Sequence, residues 1–554
     1  MKKFLKYFII IIILVGIGGY IFWQQYKKRF IKDTISDSII KNTDSLYTIN
    51  YDSSSIDEIN GNASFYDLQI QPDSAIKELF KSRNDLPNAL YNIKVKEIQV
   101  VGVDVAGLVK KENLTTKKIV LNQPSIQITN TGADKPKEFT YKDTLQLYQQ
   151  ILGKFKNINA GAIQIINGSV LITDNKGKSL TTLENINVEL KNFLVDSTRN
   201  YQNVISYFIK DVKITVENIQ LPESKNDTRI NMVGIEYDAA KRILYVKEIQ
   251  QYKSDAIQPL TDLKNIQINQ LNTDAFILYH ELKAGMITCD GGLVTIYKNT
   301  KQDKTKKNNN IIQFSSNIID EAKIEGVKLG NTKVIISNPL RPGDEPFIIN
   351  DVKFTATKVA SVTEASTVAQ MINTADWELS AGNFSLVTKD KLYKIIANNI
   401  LINNLKSYVE VKNINIKPLL TEAAFVRKSR HQRDRFDLSF NNIILRQVNF
   451  KKLIIDNSLE IENASLQPVM KIFNDRTLPP DPNSKVGKYP HQLLLKMGLP
   501  IYIKTLQVKD GSIAYKEKAV KSRLTGNVFF THLNATINNL TNINQKYNLM
   551  HFVI

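Results

Sequence analysis

The sequence predicts a mostly β protein: an N-terminal transmembrane helix followed by an elongated, curved antiparallel β-groove with a few short helices. Three observations support this. Residues 7–23 form a run without charge. From about residue 45 onward, Ile, Val and Leu alternate with Asn, Asp, Lys and Gly, the period of a strand with one buried face. A ten-residue phrase also recurs, clearest at Leu506–Tyr515, LQVKDGSIAY.

The uncharged run follows Lys2, Lys3 and Lys6 and is closed by Lys27, Lys28 and Arg29. At ~1.5 Å per residue it covers most of a ~30 Å hydrocarbon core. Tyr20 and Trp23 suit the far interface. The rival reading is a cleaved signal peptide. Against it, the run is long and no small-x-small site precedes the basic cluster. An uncleaved anchor fits better, although basic residues at both ends leave the orientation undecided by charge.

In Leu506–Tyr515, Asp510-Gly511 reads as a two-residue hairpin turn, because both residues can adopt positive φ. Val508 then faces Ile513, Leu506 faces Tyr515, and all four share one face. Ile163–Ile172 repeats the phrase with Asn167-Gly168 at the turn, and Ile119–Ile128 with Gln123-Pro124. Val327–Ile336 repeats it with Asn331-Thr332. Weaker copies are Met286–Thr295 and Trp377–Leu386. The intervals are irregular, which disfavours a solenoid of fixed coil length. A long open sheet with variable insertions fits better.

Between these copies, Val95–Val105 reads as a strand pair or a bulged strand, with a phase change near Val100. Pro72-Asp73-Ser74 followed by AIKELFK reads as a capped helix ending before Asn84. Tyr141–Phe155 reads as an amphipathic helix able to cover a sheet end. Thr363–Ile372 and His491–Met497 carry weaker helical patterns. Loops are expected at Thr131–Glu138, Asn299–Asn310 and Asn474–Lys488, the last stiffened by Pro479, Pro480 and Pro482. Val528–Leu540 reads as strand, turn, strand. The apolar ending Leu549–Ile554 suggests an uncovered edge, either from a shortened chain or one paired by another sheet. The expected organisation is an anchor at residues 1–30, a repeating β-groove region at 31–480 and a C-terminal groove segment at 481–554.

The 554 residues carry a formal net charge of +19. A balance this basic suits an anionic partner, or simply reflects a chain rich in Lys, Asn and Ile. No RNA-binding signature or basic helix supports nucleic acid. The densest basic run, Arg427–Arg435, is either a solvated loop or a docking surface for acidic headgroups. The single cysteine, Cys289, excludes a disulfide within the chain and reads as a small core filler. His280, His431, His491, His532 and His551 are not spaced as metal pairs. Neither a G-x-S-x-G elbow nor a phosphate-binding P-loop occurs. No catalytic residues, metal or cofactor are expected, and the chain is not read as an enzyme.

The residues resemble a known family. After the anchor comes IQVVGVDVAGL within Val95–Leu108, then KIVLNQPSIQI at Lys118–Ile128. IQIINGSVLITD at Ile163–Asp174 precedes LENINVELKNF at Leu183–Phe193. Towards the end stand LPIYIKTLQVKDGSIAYKEK, Leu499–Lys518, and GNVFFTHLNATINNLTN, Gly526–Asn542. This succession resembles the AsmA-like family of bacterial envelope proteins, related to TamB and to bridge-like lipid transfer proteins. The resemblance implies an inner-membrane anchor and a periplasmic β-groove lining phospholipid acyl chains. It implies a part in phospholipid transport or outer-membrane and envelope homeostasis, with an outer-membrane or envelope protein as a further partner. It departs from the family in its short C-terminal part.

Lining candidates from the repeated phrase are Ile119, Leu121, Ile126, Ile163, Ile165, Val170, Ile172, Val334, Ile336, Leu506, Val508, Ile513 and Tyr515. The alternative for each is the core of a closed sandwich. The rival function is an anchored scaffold or assembly factor for outer-membrane proteins, acting by strand addition. A glycan-active β-protein is disfavoured, because Trp23 and Trp377 are the only tryptophans.

Overall fold

A computed structural model describes residues 46–57, 60–83, 85–87, 89–104, 113–131, 157–196, 211–221, 228–253, 256–273, 275, 281–297, 321–337, 345–359, 362–363, 375–481, 498–543 and 552–553. The uncharged run 7–23, the Tyr141–Phe155 and His491–Met497 helices and the Asn299–Asn310 loop lie outside the described residues. No helix among the described residues is long and apolar enough to cross a membrane. The described chain is mostly β and falls into two compact units, divided after Gly285.

In the first unit the strands are β1 (Tyr47–Asn50), β2 (Ser53–Asp57), β3 (Asn62–Pro72), β4 (Ala89–Val101), β5 (Asn113–Asn130) and β6 (Asn157–Thr173). They continue as β7 (Ser179–Asp196), β8 (Val212–Leu221), β9 (Thr228–Asp238), β10 (Ile243–Lys253) and β11 (Thr261–Ile268). β1 and β2 both pair with β3, and from β3 to β11 each strand pairs with the next. Helix α1 (Ser74–Ser82) forms where the Asp73 cap was expected. The Asp73 carboxylate accepts the Ala75 and Ile76 N–H groups at 2.9 and 3.0 Å, satisfying donors that a helix start leaves open. β4 is one strand, not a pair. Its buried positions step from Ile93 and Val95 to Ile98 and Val100, so the phase changes slightly earlier than expected.

β12 (Glu281–Cys289) crosses the division. The second unit continues with β13 (Gly291–Tyr297), β14 (Glu321–Ser337), β15 (Phe347–Thr357), β16 (Val362–Thr363), β17 (Asp376–Val387), β18 (Tyr393–Asn403) and β19 (Tyr408–Pro418). Helix α2 (Glu422–Lys428), β20 (Arg435–Val448), helix α3 (Phe450–Ile455), β21 (Leu459–Asp475), β22 (Ile501–Lys518), β23 (Thr525–Thr541) and β24 (Phe552–Val553) follow. Thr363, expected to open a helix, ends β16 instead. β14 pairs with β15 and β16, β15 with β17, and from β17 to β24 neighbours again follow chain order.

Two expectations are corrected. First, the pairing is mixed, not antiparallel throughout. β5 pairs with β6, β13 with β14 and β21 with β22 in parallel. Parallel neighbours need a connection of a dozen or more residues. Residues 131–156, 298–320 and 476–500, which separate these strands, are such connections.

Second, the repeated phrase is not a hairpin. Leu506–Tyr515 lies within the single strand β22, Ile163–Ile172 within β6, Ile119–Ile128 within β5, Val327–Ile336 within β14 and Trp377–Leu386 within β17. Met286–Thr295 passes from β12 to β13 across Asp290. Val528–Leu540 is likewise one stretch of β23. Positive φ is present at the first turn residue of three copies, Asp510 at 50°, Asn167 at 53° and Gln123 at 50°, but not at Gly511 or Gly168, which were expected to share it. It sits at an irregularity in the ladder. Register shifts fall between Ile165 and Gly168, and between Val508 and Gly511. A tight two-residue turn and some bulges share a left-handed residue, a conformation Asn and Asp tolerate. Either geometry reverses the apolar phase, so Leu506, Val508, Ile513 and Tyr515 keep a common face.

These irregularities line up. In the first unit Asp67, Gln123, Asn167, Asn185, Gly234 and Asn265 have φ between 50° and 63°. Asp67 and Gln123 both flank the level of Val95 and Glu97, and Gly234 and Asn265 both flank the level of Val246 and Glu248. In the second unit Asp351, Asn399, Asn442, Asp510 and His532 carry φ between 49° and 53°. Each unit therefore has a seam of left-handed backbone crossing its strands. Bulged strands bend and twist more strongly, so bending is favoured where the seam coincides with a register shift, at Asn167 and Asp510.

Candidate functional site

Directly paired residues share a face, so the registers define apolar rows. In the first unit Ile98 on β4 pairs with Leu121 on β5, Leu121 with Ile165 on β6, and Ile165 with Val188 on β7. Val100, Ile119, Ile163 and Leu190 form a second row, and Ile93, Ile126, Val170 and Leu183 a third. The structure thus brings Ile119, Leu121, Ile126, Ile163, Ile165, Val170 and Ile172 onto one face of β5 and β6. All but Ile172, which is half-buried, are buried, and Leu121 is 0% exposed. Protein atoms cover this part of the face.

The second unit carries two longer rows. One row runs Leu329, Phe354, Leu379, Ile402, Val409, Leu445, Ala464, Leu506 and Ile537, from β14 to β23. On the other side of the seam runs Leu386, Ile395, Ile416, Leu438, Met470, Ile513 and Phe530, from β17 to β23. None of these last seven is buried: six are half-buried and Phe530 is 51% exposed. Val334 and Ile336 on β14, and Leu506, Val508, Ile513 and Tyr515 on β22, are half-buried as well.

Helix α3 covers the apolar face at one strand end. Phe450 is buried, and its ring meets Trp377 edge-on at 5.4 Å between centroids. Leu453, Ile454, Val409, Leu445 and Leu506 pack around Val448, Phe450, Ile461 and Ala464. Beside Trp377 lies a cavity of about 430 Å³, bounded by Asn404, Phe450, Lys451 and Ile454. In the first unit a polar depression of about 880 Å³ straddles the seam at Gln123, Asn167, Asn185 and Gly234.

The sequence reading missed a polar row beside the second seam: Asn350, Asn383, Asn398, Asn413, Asn441 and Gln467. The Asn350 amide donates to Asn383 at 2.9 Å and the Asn398 amide to Asn413 at 2.8 Å. The signal was present as ANNI at Ala397–Ile400 and NNI at Asn441–Ile443. In each pair the first Asn joins the row and the second takes the positive φ.

At the opposite strand end, α2 seats Phe425 against Tyr393 and Leu392. Asp390 accepts the Thr388 hydroxyl at 2.6 Å, the Leu392 N–H at 3.1 Å and an Arg433 N–H at 3.2 Å. The Thr388 hydrogen bond outweighs partial burial and, with the other two donors, holds this carboxyl below the usual range. Burial opposes ionisation of Asp475, but the Thr477 hydroxyl and N–H and the Lys518 ammonium overcome it and lower that carboxyl too. A carboxyl lowered in the folded state contributes stability at higher pH and loses it as pH falls through the lowered value. Acidification below the ordinary Asp value of about 3.9 is therefore expected to loosen this end first. Hydrogen exchange at the Leu392 and Thr477 amides should accelerate there ahead of the Val409 amide; simultaneous acceleration would contradict this.

Among the described residues no group of three His, Cys, Asp or Glu side chains could hold a metal ion. Cys289, expected as a buried filler, is half-buried, and its Sγ accepts the Gly291 N–H at 3.4 Å. No protein-family model matches the sequence, and no curated protein matches it.

Proposed function

We propose that this chain is an AsmA-like protein of the bacterial envelope, anchored in the inner membrane by residues 7–23. Its strands form a hydrophobic β-groove in the periplasm that carries phospholipid acyl chains, in phospholipid transport or outer-envelope homeostasis. The observation that carries this reading is the half-exposed row from Leu386 to Phe530. A closed core would bury such a row. Exposing one CH₂ to water costs ~0.8 kcal/mol, so a 16-carbon chain costs on the order of 12 kcal/mol without an apolar track. The groove acts passively, with no cofactor and no catalytic residue.

The test uses Leu438→Asp with Ile513→Asp. Both positions are half-buried. The double variant should keep native tryptophan fluorescence yet lose most of the phospholipid that copurifies with the full chain. Undiminished lipid in a folded double variant would remove the groove reading.

A second reading, an assembly scaffold acting by strand addition, is favoured by β23. Among the described residues only Phe552 and Val553 pair with its outer side, at Ile537 and Thr536. Phe529 is 68% exposed on the same strand. Photocrosslinkers at Leu438 and Phe529 separate the readings. Lipid adducts at Leu438 favour the groove, and protein adducts confined to Phe529 favour assembly.

A further inference from the structure

We infer that the α2 end of the second unit is a docking surface for an anionic lipid bilayer. This does not depend on the groove carrying lipid. Here β18 begins at Tyr393 opposite Pro418 of β19, and β22 ends at Lys518 opposite Thr525 of β23. Asp475, at the end of β21, pairs with Lys518. The loops 388–392, 419–434, 476–481 and 519–524 therefore crowd one edge.

Apolar side chains project from these loops instead of packing. Leu419 is 48%, Val520 60% and Leu524 72% exposed. Around them stand Lys389, Lys391, Arg427, Arg430, Lys521 and Arg523, all exposed and none in an ion pair among the described residues.

Four of the nearby acids are held in ion pairs. Asp390 pairs with Arg433 at 3.2 Å, Glu422 with Lys516 at 2.8 Å and Glu517 with Arg476 at 3.0 Å. Asp475 pairs with Lys518 at 3.5 Å, and Asp434 accepts the Asn474 amide at 2.5 Å. Exposed cations in these loops outnumber the carboxylates.

The frame that presents these cations is braced. Phe425 is buried beneath α2. The Gln432 amide donates to the carbonyls of Arg476 and Leu478 at 3.1 and 2.9 Å, tying the basic loop to the next one. Apolar tips set among cations match the headgroup boundary of an anionic bilayer. The tips can enter the acyl edge while the cations meet phosphates. Nucleic acid fits the charge but not the aliphatic tips, and among the described residues of these loops the imidazole of His431 is the one exposed ring on which a base could stack.

The test reconstitutes the full chain in phosphatidylcholine vesicles and measures capture of labelled vesicles of equimolar phosphatidylcholine and phosphatidylglycerol. Capture should require phosphatidylglycerol and fall as salt rises. Each cation near such a surface is worth about fivefold, so Arg427→Gln/Arg430→Gln/Lys521→Gln/Arg523→Gln should weaken capture by at least about a hundredfold. Val520→Ser/Leu524→Ser should weaken it roughly tenfold with the same salt dependence. Lys406→Gln/Lys451→Gln, at the α3 end, should change it by less than about twofold. Lys521→Gln/Arg523→Gln alone touches only one exposed turn and covers any folding defect of the quadruple variant; it should lose about 25-fold. Equal capture of neutral vesicles overturns the inference, as does wild-type capture by either folded cation variant.

Discussion

Leu121→Asp will abolish the native fold of the first unit, and Leu121→Ala will destabilise it by about 2–5 kcal/mol. Leu121 is 0% exposed and is paired with Ile98 on one side and Ile165 on the other. Alanine removes the buried methyl groups and leaves a cavity that neighbouring strands, held by their ladders, cannot fill. Aspartate adds a charge with no partner on an apolar face, where desolvation disfavours it strongly. Protease resistance of the first unit, with circular dichroism, measures both. The contrast with Ile513→Asp is the informative part. Ile513 is an apolar position of the same repeated phrase but is half-buried, so aspartate there should be tolerated. A Leu121→Asp protein as protease-resistant as wild type would mean that this face is not sealed by protein.

Gly291→Ala will destabilise the second unit by about 3 kcal/mol or more, summing backbone strain and overpacking. Gly291 has φ +107°, a region that side chains rarely adopt. A Cβ there would stand 2.1 Å from the Asn331 carbonyl oxygen and 2.5 Å from its carbon. Across the same parallel pairing, a Cβ on Gly330 would stand 2.3 Å from the Asp290 oxygen. The two backbones approach so closely that only glycine fits either position. Denaturation followed by Trp377 fluorescence reads the change. Gly498→Ala, with open space around its Cβ and no positive φ, serves as the control and should stay within about 0.5 kcal/mol of wild type. Equal stability of the Gly291 and Gly498 variants would show that β13 and β14 do not meet so closely.

Much of the apolar face was legible because alternation is a local property. The residues proposed to share a face in Leu506–Tyr515 and Ile163–Ile172 do share it. The Asp73 cap was legible for the same reason: its donors are two and three residues away. The direction of the chain after each Asn-Gly or Asp-Gly was not. A hairpin and a bulge ask the same backbone of Asp510 or Asn167, and only the neighbouring strand decides between them. For β22 that neighbour is β21 in parallel and β23 antiparallel, so the strand runs on to Lys518 instead of turning back. The degree of burial was also illegible. Ile165 and Val508 occupy the same position of the repeated phrase, yet Ile165 is buried and Val508 is half-buried.

By itself the sequence determined that the chain is mostly β, which residues along the repeated phrase are apolar together, and that Asp510 and Asn167 take left-handed backbone. Period and φ preference are properties of neighbouring residues, so they can be read without a partner. Only the tertiary structure decided which strands run parallel, that the repeated phrase runs on instead of reversing, and that the apolar rows of β4–β6 are buried while the row from Leu386 to Phe530 is not. Those depend on contacts between strands far apart in the chain, and on what covers each face, which no local pattern encodes.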